Sequence, residues 1–180
     1  MPVVRHRLKS RLLQGNPLGD PGERDVYLYL PPTSAAEPGA PLPALLVLVG
    51  FTGTAATHFN VDPLQENLEE KLDRLIGSGA CPPVVVAVPD CFTRVGGSQY
   101  LNSSALGRYE DFLVDEVMPF VSGQTKIGRW GVLGKSSGGF GALSLGLRRT
   151  DRFAALAAHS GDAGFELCYL PDFPLSLIHI

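Results

Sequence analysis

The chain has 180 residues, 44% of them hydrophobic and 18% charged, and carries a net charge of −3. That is apolar material for one substantial core in a length too short for two ordinary domains, and it excludes a disordered or low-complexity protein. Arg and Lys are scattered rather than clustered, so no basic stripe is present to neutralise phosphates and nucleic acid is not an expected partner.

At the start of the chain, Arg5, Arg7, Lys9 and Arg11 interrupt every apolar run. Neither a secretory segment nor a membrane span is predicted there, and the expected location is the cytoplasm. Residues 3–13 and 24–30 alternate apolar and polar side chains on either side of the turn-rich GNPLGDPG, which predicts two antiparallel strands. A connection with five prolines in thirteen residues, PPTSAAEPGAPLP, follows. ALLVLVG is then a short continuous apolar run ended by Gly50, as expected for a parallel strand covered on both faces.

The next segment predicts a helix with Asp62 as its N-cap, Pro63 at the first helical position and Gln65 at the third. Leu64, Leu68, Leu72, Leu75 and Ile76 would form its apolar stripe, and Gly77 would stop it. PPVVVAVPD reads as another buried strand, and residues 91–107 as a long loop of the kind that is commonly functional. A second amphipathic helix carries Tyr109, Phe112, Leu113, Glu116, Val117 and Phe120, with Glu110 and Asp111 in the first turn, where the helix dipole favours acids. KIGRWGVLG is a fifth strand, SSGGFGALSLGLRR a helix of small residues, and RFAALAAHS a sixth strand.

Strands alternating with helices behind an antiparallel start indicate an α/β domain with a mostly parallel sheet of about six strands. In such sheets ligands bind outside the C-terminal strand ends, so residues 51–57, 90–107, 134–138 and 160 onward should share one rim. Cys81, Cys91 and Cys168 are odd in number and widely spaced, arguing against both a disulfide framework and a zinc site and for buried or half-buried thiols. No metal or cofactor motif is present.

On that rim Gly134-Lys135-Ser136-Ser137-Gly138 matches G-x-S-x-G. Composition alone produces roughly 0.16 such matches in a chain of this kind, so the position carries the reading: the motif joins a buried strand to a small-residue helix, where a nucleophile elbow belongs. Ser136 has glycine two before and two after it, as the crowded turn requires. Ser137 lacks the first of these and is the candidate backbone oxyanion donor. The second donor is expected from GFTGT, at Phe51 or Thr52. Two readings from other classes compete. Gly134-Lys135-Ser136 resembles the end of a phosphate-binding P-loop, but that motif needs glycine where Arg129 stands and Gly128 is one position off. A non-catalytic binding module on the same fold would keep the turn without a base.

The segments NPLGDPGERDVYLYLPP, GFTGT, residues 89–120, GKSSGG and HSGDAGFELCYLPDFP, in this order, resemble the putative-esterase branch of the α/β-hydrolases. That branch includes enterochelin esterase-like proteins, S-formylglutathione hydrolases and bacterial mycolyltransferases, and the resemblance spans residues 3–174. It implies an α/β-hydrolase fold, here incomplete, and hydrolysis of a small-molecule carboxylic ester without metal or cofactor. Ser136 would be the nucleophile, with Ser137 and the Phe51 region as the oxyanion hole. Asp90, Arg94, Ser98, Tyr100 and Asn102 would shape the substrate pocket from the long rim loop.

In α/β-hydrolases the triad acid usually follows the seventh strand and the histidine the eighth. Only 20 residues remain after Ser160, and a strand-helix-strand unit takes about 30. The acid and base are therefore expected beyond the chain. Asp162 stands where some lipases place the acid, but the favoured reading is a hydrogen bond within the turn HSGDAG. His6 is expected on the surface of the first strand, His58 in the loop before the first helix, and His159 near the rim as a structural residue or a substrate contact. His179 falls in LSLIHI, a translation of CTG TCT CTT ATA CAC ATC, which resembles a transposon-end sequencing adapter. Residues 175–180 are accordingly expected not to be native, and 1–174 to be the N-terminal portion of the esterase domain.

Overall fold

The computed structural model describes residues 3–32, 35, 37, 39–168 and 170; residues 175–180, and His179 with them, lie outside that range. Six strands build the main sheet: β1 (Val4–Lys9), β2 (Glu23–Tyr29), β3 (Leu42–Leu48), β4 (Val85–Pro89), β5 (Ile127–Lys135) and β6 (Phe153–His159). Their order across the sheet is β1-β2-β4-β3-β5-β6. β1 pairs antiparallel with β2, and β2 with β4. The remaining neighbours, β4–β3, β3–β5 and β5–β6, run parallel. The sheet is thus the mostly parallel one expected, with its antiparallel strands at the N-terminal edge.

Side chains alternate across the sheet, so an unbroken apolar run such as that in β3 feeds two cores. Leu46 and Leu48 join Leu28, Phe112, Leu113, Val117 and Leu145 on one face. Val47 and Val49 join Tyr29, Leu72, Ile76 and Val86 on the other. The first face is covered by α2, which runs through Tyr109–Asp111, Phe112–Val117 and Met118–Gln124, and by α3 (Ser137–Arg148). α1 (Leu68–Gly77) covers the second.

The first helix starts later than its sequence suggests. Asn67, not Asp62, is the N-cap: its side chain accepts from the Glu70 N–H, and the Glu70 carboxylate accepts from the Asn67 N–H. Asp62 accepts from the Leu64 N–H two residues on, a local turn that competes with helix initiation. Leu64 is consequently 91% exposed and leaves the apolar stripe.

The middle of α2 is a π-helical turn, with the Met118 N–H bonded to the Leu113 carbonyl. It lies just before Pro119, which has no N–H to continue the ladder. Glu110 is buried in the first turn of α2, 3.6 Å from Arg148 and 3.7 Å from Arg149. The Arg24 guanidinium, also buried, donates to the Phe92 carbonyl and the Tyr109 hydroxyl, both at 2.6 Å. That cation ties β2 to the long rim loop and to α2. Cys91 is buried and Cys81 partly so. No helix among the described residues is long and apolar enough to cross a membrane.

Candidate active site

β5 passes into α3 through a single residue. Ser136 lies between Lys135, the last residue of the strand, and Ser137, the first of the helix, at φ 56° and ψ −126°. A positive φ at a residue with a Cβ costs energy, and it persists only where the surroundings over-determine it. Those surroundings are backbone. A Cβ on Gly134 would lie 2.2 Å from the Gly138 carbonyl oxygen, and one on Gly138 would lie 2.0 Å from that of Leu48. The two glycines of the motif are therefore demanded by main-chain contact among β5, α3 and β3.

Three further bonds hold the turn. The Ser136 N–H donates to the His159 carbonyl at 3.0 Å, fastening this turn to the end of β6, and the Ser136 carbonyl accepts from Phe140 N–H at 3.0 Å and Asp162 N–H at 3.4 Å. Ser137 is fully buried. Its hydroxyl donates to Asp162 Oδ2 at 3.0 Å, and the Ser136 hydroxyl donates to Asp162 Oδ1 at 3.3 Å. The carboxylate thus reaches beyond its own turn and bridges both serines.

Ser136 opens on a cleft of about 770 Å³ with an apolar floor that includes Val47, Val49 and Leu133. Gly50–Gly53 forms the facing wall, closed by a Gly53 N–H to Gly50 carbonyl bond of 3.0 Å. Gly50 stands so close that a Cβ there would lie 3.7 Å from the Ser136 Cβ. Phe51 and Thr52 line the cleft from this turn, and the Phe51 ring packs on Gly96 and Gly97 of the long loop. The positive end of the α3 dipole points toward the same space, a favourable place for negative charge. Lys135, His159 and Asp162 complete the rim.

Thr57 and His58 also line the cleft, from a short 3₁₀ turn over Ala55–Phe59. Burial holds the His58 imidazole below its ordinary pKa and so favours its neutral form. Sequence reasoning put His58 in this loop without giving it a place at the site. No spacing signal marks it, because its place at the cleft comes from the packing of the 3₁₀ turn and not from a local pattern.

The rim-loop candidates go elsewhere. Tyr100, expected to touch substrate, is buried among the core residues, with its hydroxyl donating to the Val49 carbonyl and its ring against Gly141. Burial pushes its pKa up. Asp90 accepts from Phe92 N–H at 3.2 Å, and burial raises its pKa. Asn102 accepts from Asp111 N–H at 3.2 Å, and so anchors the loop to α2. Arg94 pairs with Asp20, and Ser98 is buried with its hydroxyl accepting from Tyr100 N–H. None of these five residues lines the cleft. The loop folds into two short antiparallel ladders, Phe92–Thr93 with Gly96–Gly97 and Asn102–Ser103 with Gly107–Arg108, which turn its polar groups onto its own backbone. Among the described residues no group of three or more His, Cys, Asp and Glu could hold a metal ion.

The family model described as Putative esterase matches residues 21–164. Among solved structures, the chain is similar to a ferulic acid esterase at 24% identity and a TM-score of 0.69, over 89% of this chain and 58% of that one. It is similar to the S-formylglutathione hydrolase from Agrobacterium tumefaciens at 22% identity and a TM-score of 0.60, over 85% of this chain and 56% of the other. For the enterobactin esterase from Shigella flexneri the identity is 20% and the TM-score 0.64, over 89% of this chain and 36% of that one. The chain therefore spans less than two thirds of the length of these neighbours, and at these identities the likeness is one of fold. No curated protein matches it in sequence.

Proposed function

The chain belongs to the Putative esterase family, and from that premise we propose that the protein it represents hydrolyses small-molecule carboxylic esters through an acyl-enzyme on Ser136. The observation that carries this reading is the Ser136 hydroxyl at a strained strand-to-helix turn, opening on the cleft. In the proposed reaction the Ser136 oxygen attacks the ester carbonyl while its proton passes to a base. The tetrahedral oxyanion is held by the Ser137 N–H and by an N–H of Phe51 or Thr52. Collapse expels the alcohol, which takes up that proton, and water then attacks the acyl-enzyme by the reverse route.

The hydroxyl of Ser136 now points to Asp162 rather than to an imidazole. We place the triad acid and histidine in the portion of the protein C-terminal to residue 174, and treat residues 175–180 as foreign to it. Binding at this site would engage the apolar floor with the substrate's acyl or alcohol chain and the polar rim with the reacting carbonyl. The reaction draws on no metal or cofactor.

The test is hydrolysis of p-nitrophenyl acetate and butyrate by the full-length protein. Ser136→Ala should lower kcat by a factor on the order of 10⁴ or more. Undiminished turnover in that variant would end the assignment.

A further inference from the structure

The cleft at Ser136 does not end at Thr57 and His58. Both residues also line a second cavity, of about 390 Å³, that extends toward the start of α1, so a single ligand can occupy both spaces by passing over them. Its volume falls in the range of small-molecule sites, about 300–1,000 Å³. The two spaces differ in chemistry. Where the floor of the cleft includes Val47, Val49 and Leu133, the second cavity presents the amides of Asn60 and Gln65, the carboxylates of Asp62 and Glu66 and the ammonium of Lys71.

The charges of these side chains oppose one another. Glu66 is paired with Arg74 at 2.7 Å, which leaves Asp62 and Lys71 as one charge of each sign on the lining, and burial favours the neutral form of His58. Net charge therefore selects neither an anion nor a cation. Carboxylates only accept hydrogen bonds and an ammonium only donates them, whereas side-chain amides do both. A hydroxyl also does both and can pair with every one of these groups, so several hydroxyls on one frame can satisfy them together. The Glu70 N–H at the start of α1 is already bonded to Asn67, and the recognition falls to side chains.

We infer that the second cavity is a binding subsite for the alcohol portion of the substrate, and that this portion is a neutral polyhydroxylated group. This rests on the ester-hydrolase reading above and specifies the substrate class of that site. The apolar floor suits the acyl chain, which stays on Ser136 after the first step. The second cavity is bordered by Asn60, Asp62, Gln65 and Glu66, all exposed, so the freed alcohol has a direct way out to solvent.

The experiment compares kcat/KM for 6-O-butyryl glucose with that for cyclohexylmethyl butyrate, which has the same acyl chain and a ring without hydroxyls, in the full-length protein. The glucose ester should be favoured by about tenfold or more. Asn60→Leu or Gln65→Leu, each on an exposed segment that the core does not use, should narrow that preference by at least about fivefold. Turnover of p-nitrophenyl butyrate that depends on Ser136, with no preference for the glucose ester or with a preference that neither variant narrows, would overturn the subsite alone. Absent or Ser136-independent turnover of p-nitrophenyl butyrate would overturn the hydrolase reading, and this inference with it.

Discussion

Among the described residues, non-glycine residues take positive φ at Gln99–Tyr100, Ser136 and Ser160, and two of these turns differ in what the strain does. Ser136 is one; Gln99 and Tyr100 in the long rim loop are the other. In the first, strain is imposed by backbone crowding and leaves the side chain facing the cleft. In the second, the unusual backbone turns Tyr100 inward, so that its ring meets Gly141 and its hydroxyl reaches the Val49 carbonyl. A positive φ thus marks a candidate reactive group in one place and a buried support in the other. Strain shows where tertiary structure over-determines the chain; only the direction of the side chain says for what purpose.

The comparison breaks most sharply at Gly138. Gly138→Ala would push a methyl to 2.0 Å from the Leu48 carbonyl oxygen. Main chain must then move, and we expect a loss of more than about 3 kcal/mol in urea unfolding. A near-neutral result would mean that the Ser136 turn is looser than its geometry implies.

At the second turn, Tyr100→Phe leaves the buried Val49 carbonyl without its donor. Stability should fall by about 1–3 kcal/mol, with KM for p-nitrophenyl butyrate unchanged. A rise in KM without a loss of stability would return Tyr100 to the substrate contacts.

The smallest effect concerns the wall facing Ser136. Burial keeps the His58 imidazole neutral, so its folded pKa lies below the ordinary 6.5. As pH falls through that value the unfolded chain takes up the proton first. The stability tied to the neutral ring is therefore complete above the unfolded pKa and declines below it. His58→Gln should flatten the fall in stability between about pH 7 and pH 5. An unchanged slope would mean that the ring is solvated in the folded protein.

Most of the architecture is legible in the amino-acid sequence. Continuous apolar runs in β3 and β4 specify strands covered on both faces, and the glycines around Ser136 identify a turn where three backbone segments converge. Local signals were weaker where two short-range options competed. Asp62-Pro63 predicts the helix start, but the helix begins after Asn67, because Asp62 spends its carboxylate on Leu64 N–H while Asn67 and Glu70 satisfy each other.

What the amino-acid order determined by itself is the set of elements and the turn that carries Ser136, because periodicity and glycine spacing are properties of neighbouring residues. Tertiary structure alone decided which rim residues face that hydroxyl. Asp162 and His58 arrive from segments far away in the chain, and Tyr100 is drawn into the core, through packing between elements that no local pattern encodes.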